Sequence, residues 1–471
     1  MSKPRVIVMG LDGIPSDLLF NNLVKELPNI RKMMENGMYA TLESCNPPIT
    51  IPAWMVMMTG KSPGELGVYG WRQRKGFSYN DGWLASSLSI KEPKVWDILS
   101  RQGKKTCLIG IPPSYPPFMV NGSMISCSLT PKESNNFTYP PELADEVKNW
   151  AGGNYLFDIP FRITDRDAAL RMLYEMTEKR FNVIMHLLEK EDWDYFMFVE
   201  IGFDRLHHMF WKYHDRTHPK YQPGNKYANV IPQYYKYVDK KIGDILSIID
   251  DNTYVLLVSD HGTASMKGAF CVNEWLIREG LLVLKEYPTS VADLGKCQVD
   301  WEKTTAWGWG GYYARIFLNV QERESQGRIP VQQYDRIREE VKTRLLAVTG
   351  PEGEKFDNKV FYPEELYHQC NGSKPDLIVY FDNLSWRSAG TIGHNRMYLE
   401  ENDIGPDDSI HWMDGVFLLY NKSMSNHHDS RLDKLSIYDV APIILDIFNA
   451  EVPSDMQGKV AGEVSRWVHR Q

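Results

Sequence analysis

Six short apolar runs, each ending on or just before a polar residue or a glycine, constrain this chain more than any other feature. They lie at 5–10, 106–110, 195–199, 254–259, 377–381 and 416–420. Each is almost continuously apolar instead of alternating. Strands buried on both faces read that way, whereas a strand with one wet face alternates. Between the runs lie helical patterns at 168–188, 234–249 and 436–448. Strands separated by helices predict an α/β layer fold with a mostly parallel central sheet. In such sheets ligands gather at the carboxyl ends of the strands. The residues to examine first are therefore Asp12, the segment 200–204, and the Asp260-His261-Gly262 triplet.

Two stretches fit the alternation poorly. One is 111–155, rich in Pro, Asn and Ser, and the other is 285–369. Both are expected to be insertions that cap the sheet. Glycine-rich 307–311 allows a phosphate loop but reads better as turn chemistry before a strand. With 471 residues, the usual ~150 residues per domain allows three domains. Long α/β enzymes often form one, so a single catalytic domain over 1–471 is expected.

Several side chains near the strand ends suit metal and phosphate chemistry. Asp12 follows the first run in LDG, a position that also suits a turn or helix cap. Asp260 and His261 follow another run in VLLVSDHGTAS, where a carboxylate and an imidazole can turn toward one metal. Asp204 and His208 lie in FVEIGFDRLHHMFW. On a helix, positions i and i+4 share a face, so both side chains point the same way. His207 competes for that role. His411 precedes the last run in DDSIHWMDGVFLLY, with His394 as its rival. Thr50 lies in NPPITIPAWMVMMTG, where Pro52 suits a first helical turn and Gly60 a helix end. That puts a hydroxyl at a helix N-terminus, which favours an anion but also suits a plain cap.

Taken in order, these residues resemble the alkaline phosphatase superfamily, and most closely its type I phosphodiesterase/nucleotide pyrophosphatase branch. The likeness runs from LDG through TIPAWMVMMTGKSPGELGVYG, DRLHH and SDHG to VNEWLIREGLL, LNVQERESQGRI and the segment around His411. It implies an alkaline-phosphatase-like layered fold. It also implies hydrolysis of phosphodiester or pyrophosphate bonds through a phospho-threonine at a two-metal site. Asp12, Asp260 and His261 would bind one divalent metal, with Thr50 beside it as nucleophile. Asp204, His208 and His411 would bind the other. The D-x-x-x-H spacing of the family favours His208 over His207. Mixed Asp/His ligation suits Zn2+, with Mn2+ or Fe2+ as alternatives.

The chain departs from the family pattern in two places. Leu66-Gly67 stands where His-Gly is frequent, and Trp71 stands where nucleotide-cleaving members often carry a phosphate-binding Asn. Trp71, Arg72 and Arg74 are the substrate-contact candidates in that segment. The x-P-x-R that sulfatases need is absent, since the fourth residue after Thr50 is Trp54.

Two rival readings share these residues. One is a phosphomonoesterase or a phospho-group transferase or mutase on the same core. The other is a non-catalytic metal-binding protein, which would have no need of Thr50. The expected partner is a small phosphate ester, nucleotide-like by resemblance. With 53 Lys and Arg against 61 Asp and Glu, the net charge of −8 argues against stable nucleic-acid binding. No stretch approaches the ~18 apolar residues of a membrane span. The four-residue apolar run at the N-terminus is short of the ~7 a signal peptide needs. The expected location is the cytoplasm. The six cysteines form no CxxC pair and are expected as thiols.

Overall fold

The computed structural model describes residues 3–424 and 430–469. Its centre is a sheet of five parallel strands in the order Thr253–Val258, Arg5–Leu11, Tyr195–Glu200, Thr106–Ile109 and Gly122–Ile125. Beyond Thr253–Val258 comes Asp414–Asn421, which runs antiparallel, and then Met38–Glu43, which returns to the common direction. The mostly parallel sheet flanked by helices agrees with the sequence reading.

The alternation of side chains shows why these strands are apolar throughout. Ile7, Met9, Phe196, Phe198, Val255 and Leu257 enter one buried cluster, with the helices Arg166–Lys190, Gly202–His214 and Val230–Ile248. Their neighbours Val6, Val8, Tyr195, Met197, Leu256 and Val258 enter a second cluster on the opposite face. That face is covered by Thr50–Thr59, Val95–Arg101 and Val440–Ile447. Both sides of the pleat are dry, so no position favours a polar residue.

One run belongs elsewhere. Leu377–Tyr380 pairs antiparallel with Ala314–Leu318 and Lys359–Phe361, in a separate four-stranded sheet that also contains Ala306–Trp309. A short apolar run shows burial but not which sheet it joins. Within 111–155, Gly122–Ile125 and Thr138–Tyr139 extend the edge of the central sheet, and Leu143–Trp150 is helical. Within 285–369, Tyr334–Leu346 is a helix packed on the smaller sheet. Among the described residues all six cysteines are free, and no helix is long and apolar enough to cross a membrane.

The reversed strand matters for chemistry. Phe417 pairs with Val258 and Asn421 with Tyr254. The beginning of Asp414–Asn421 therefore lies level with the carboxyl ends of the parallel strands. Residues just before it reach the same edge as residues just after the others.

Candidate active site

Asp12 directly follows Arg5–Leu11. Gly10, two residues earlier, has no side chain because the Trp54 indole lies on it: a Cβ there would come within 2.5 Å of the ring. The same indole donates a hydrogen bond from Nε1 to Asp12 Oδ2 at 2.8 Å. Gly13 turns the chain with φ of 73° and donates its N–H to Asp260 Oδ1 at 3.2 Å. The two carboxylates are thus each held by one oxygen. Their other oxygens, Asp12 Oδ1 and Asp260 Oδ2, are buried with no hydrogen-bond partner. They lie 3.5 and 3.3 Å from His261 Nε2. Burial pushes both carboxyls well above their usual range, and the neighbouring carboxylates add to it: Asp204 acting on Asp12, and Asp12 on Asp260.

Thr50 opens the Thr50–Thr59 helix, which is buried on every side and stops at Gly60, left-handed at φ of 65°. Its Oγ1 lies 3.4 Å from His261 Nε2.

Asp204 and His208 of the second group sit on Gly202–His214, and His411 on the strand Ser409–Trp412. Asp204 Oδ1 is 3.2 Å from His208 Nε2 and 3.3 Å from His411 Nε2. Its Oδ2 accepts from Arg205, which also grips Asp158 with two bonds of 2.8 and 2.7 Å. Burial pushes the Asp204 carboxyl up, but the charges of His208 and Arg205 outweigh it and hold it well below the usual range. The ligand-capable atoms of Asp12, Asp260 and His261 all lie within 4.8 Å of one another, and so do those of Asp204, His261 and His411.

The three histidines share one pattern. His261 Nδ1 faces the Gly262 carbonyl at 2.9 Å, His411 Nδ1 the Pro48 carbonyl at 2.9 Å, and His208 Nδ1 the Asp407 carboxylate at 2.7 Å. Each Nδ1 is tied to a protein oxygen, and each Nε2 is turned toward the centre. An oxygen bonded to the far ring nitrogen orients metal-ligating imidazoles in this way. His207 differs. Its Nδ1 meets the Gly13 carbonyl and Thr263 Oγ1, both at 3.1 Å, and its Nε2 meets the Tyr235 hydroxyl at 3.0 Å. Both nitrogens are used inside the fold. His394 lies apart, with Nε2 2.7 Å from Thr391 Oγ1.

A cleft of about 340 Å3 opens onto Thr50, Asp204 and His411, with Trp71 and Arg72 among its walls. Arg74 is not in it. Its guanidinium is buried against Glu324 at 3.0 Å and hydrogen-bonded to the carbonyls of Phe77 and Ser78. The expectation of a substrate contact there gives way to a structural ion pair. Sequence reasoning missed Tyr312, Arg162, Arg205, Arg315 and Arg387, which also line the cleft. Tyr312 places its hydroxyl 3.0 Å from His208 Nε2 and 2.7 Å from an Arg162 nitrogen. Gly310 and Gly311 line it too. A Cβ on Gly310 would come within 2.3 Å of the Gly390 nitrogen, so close backbone approach accounts for the glycine.

The chain matches the type I phosphodiesterase/nucleotide pyrophosphatase family over residues 6–412. It belongs to that family, whose members are hydrolases of phosphoric esters that use divalent metal ions. Among solved structures it is similar to human ectonucleotide pyrophosphatase/phosphodiesterase 5. The TM-score is 0.56 at 12% identity, with 97% of each chain covered. That likeness shows the alkaline-phosphatase-like fold. Among curated protein sequences, none matches this chain.

Proposed function

We propose that this protein hydrolyses phosphodiester or pyrophosphate bonds at a two-metal centre, with Thr50 as the nucleophile. The observation that carries this reading is the pair of orphaned, fully buried carboxylate oxygens on Asp12 and Asp260, beside His261 Nε2 and Thr50. Buried carboxylates with unsatisfied oxygens are costly unless a cation completes them. Asp12, Asp260 and His261 are the residues to hold one divalent ion, and Asp204, His208 and His411 the other. The donor set of carboxylate and imidazole suits zinc. When bound, such ions supply positive charge that acidifies a hydroxyl and offsets the negative oxygens of a phosphate ester.

Thr50 then attacks phosphorus. Its hydroxyl loses the proton, its oxygen forms the new P–O bond, and the leaving oxygen departs with the electrons of the bond that breaks. Water reverses the exchange, giving the phosphate product and restoring the hydroxyl. The helix N-terminus at Thr50 favours the anionic phosphoryl group. Trp71, Phe161 and Tyr312 offer aromatic surface along the cleft for the second substituent of a diester.

The test compares bis(p-nitrophenyl) phosphate with p-nitrophenyl phosphate, which share a leaving group, at one pH and one metal loading. The expected outcome is a kcat/KM at least ~10-fold higher for the diester, about 1.4 kcal/mol. A faster monoester reaction would make the protein a phosphomonoesterase on the same core.

A further inference from the structure

The cleft at Thr50 continues into a second chamber of about 420 Å3. Arg72, Gly310, Gly311, Arg315 and Arg387 line both, whereas Thr50 and His411 line only the first. The junction between chambers is therefore built from three guanidinium groups, in a chain whose net charge is −8.

The cations of the first chamber are not equivalent. Arg162 pairs with Asp407 at 2.9 Å, and Arg205 with Asp158 at 2.7 Å. At the junction the pairing is sparser. Arg315 is only 8% exposed, yet among the described residues it has no carboxylate within ion-pair distance. Among the described residues its one side-chain hydrogen bond goes from a terminal nitrogen to the Arg72 carbonyl at 2.5 Å. Arg72 likewise has no ion pair among the described residues. Arg387 is 6% exposed and makes one long ion pair, its Nε 3.5 Å from Asp403 Oδ1, without a hydrogen bond. The second chamber also contains Lys296, with Asp293 and Asp403 as its only carboxylates among the described residues. A buried guanidinium without a counterion is unfavourable unless a ligand brings the anion.

We propose that Arg315, Arg387 and Arg72 form an anion subsite beyond the reaction centre. The substrate is then a phosphate ester whose second substituent carries its own oxyanion, a carboxylate or a phosphoryl group. This rests on the phosphoester reading above for its catalytic half and, for its binding half, on Arg315 and Arg72, whose guanidinium groups have no ion pair among the described residues. Trp309 supports the arrangement, since the Arg72 and Arg315 guanidinium carbons lie 5.6 and 5.2 Å from its ring centre.

Two measurements test it. The first is turnover of p-nitrophenyl 3-carboxypropyl phosphate against its neutral carboxylate methyl ester, with the same leaving group. The acid is expected to be preferred at least ~10-fold in kcat/KM, and Arg315→Met should bring the ratio close to one. The second is calorimetric binding of 4-phosphonobutyrate, its carboxylate methyl ester and propane-1,3-bisphosphonate, which needs no turnover. Both dianionic-ended probes should bind more tightly than the methyl ester, and the tighter of the two names the preferred oxyanion. Arg72→Gln, on an exposed side chain, should lower the preference by a smaller factor and stands in if Arg315→Met does not fold. Equal binding of acid and methyl ester by the wild-type protein overturns the subsite, whatever the esterase does. Absence of any phosphoester turnover together with selective binding of the acids overturns the catalytic reading and leaves the subsite standing.

Discussion

The imidazoles of His261 and His411 stack face to face, with ring centres 3.7 Å apart and planes 18° from parallel. Two cations would not pack this way. Burial pushes both rings below the usual histidine range, His261 furthest, and each adds to the effect by facing other imidazoles. Both are therefore neutral near pH 7, with Nε2 lone pairs available. Because His261 Nε2 lies near Asp12, Asp260 and Thr50 while its ring rests on His411, the two ligand groups touch through this contact.

Metal occupancy should follow that division. The protein is expected to bind about two transition-metal ions per chain. Asp260→Asn should empty mainly one site and His208→Ala mainly the other. Elemental analysis of each purified variant after reconstitution and desalting measures it. A wild-type protein that retains no transition metal removes the two-metal assignment.

Thr50→Ala should keep its metal and lose nearly all turnover. Loss of the nucleophile is expected to cost at least ~10^3-fold in kcat, roughly 4 kcal/mol of barrier. Steady-state rates beside the metal content of the same preparation separate this from a ligand defect. Near-normal turnover would reduce Thr50 to a helix cap.

His207 predicts an acid sensitivity that has nothing to do with turnover. Burial lowers its imidazole to about 3 from a usual 6.5. Between those values the unfolded chain binds a proton that the folded chain does not, so stability rises with pH. The contribution is complete above about pH 6.5 and is lost as pH falls toward 3, roughly 2 kcal/mol by pH 5. Denaturant midpoints from pH 7 to pH 5 should fall, and the slope should flatten in His207→Gln. An unchanged slope in that variant would assign the sensitivity to other groups.

Arg74→Met should act on stability rather than on substrate choice. It removes one of two guanidinium partners of Glu324, whose side chain is 0% exposed and which keeps Arg323 Nε at 3.0 Å, and loss of such a charged hydrogen bond costs about 1.5–3 kcal/mol. Thermal melts should show a lower Tm. The ratio of diester to monoester turnover should not move.

Most of the central sheet could be read in advance because its strands are dry on both faces, and that leaves an unbroken apolar run. Asp12, Asp204 and the Asp260-His261 pair were legible for a related reason: the carboxyl end of such a strand is a short, recognisable place. His411 was reachable only because it precedes a run, and the reversal of Asp414–Asn421 explains why that position equals the others in space. Tyr312, Arg315 and Arg387 carried no such mark. They come from outside the central sheet, where Ala314–Leu318 and Trp386–Ala389 lie in different small sheets. Arg72 and Arg74 show the limit most plainly. Two residues apart in one short strand, one lines the cleft and the other is spent on Glu324, and only the distant layer decides which.

The reversed strand also sets the order in which this protein becomes competent. Asp12 is made long before His411 on the ribosome, yet His411 reaches the site only through the segment that begins Asp414–Asn421 and docks between Thr253–Val258 and Met38–Glu43. A nascent chain that has built its parallel strands still lacks this wedge, and the Met38–Glu43 strand, made long before, has no neighbour to join it to the sheet. Such non-local pairing is slow to form. The centre is thus assembled last, and a truncated translation product ending before residue 411 carries Thr50 and all three of the carboxylates Asp12, Asp204 and Asp260 without His411.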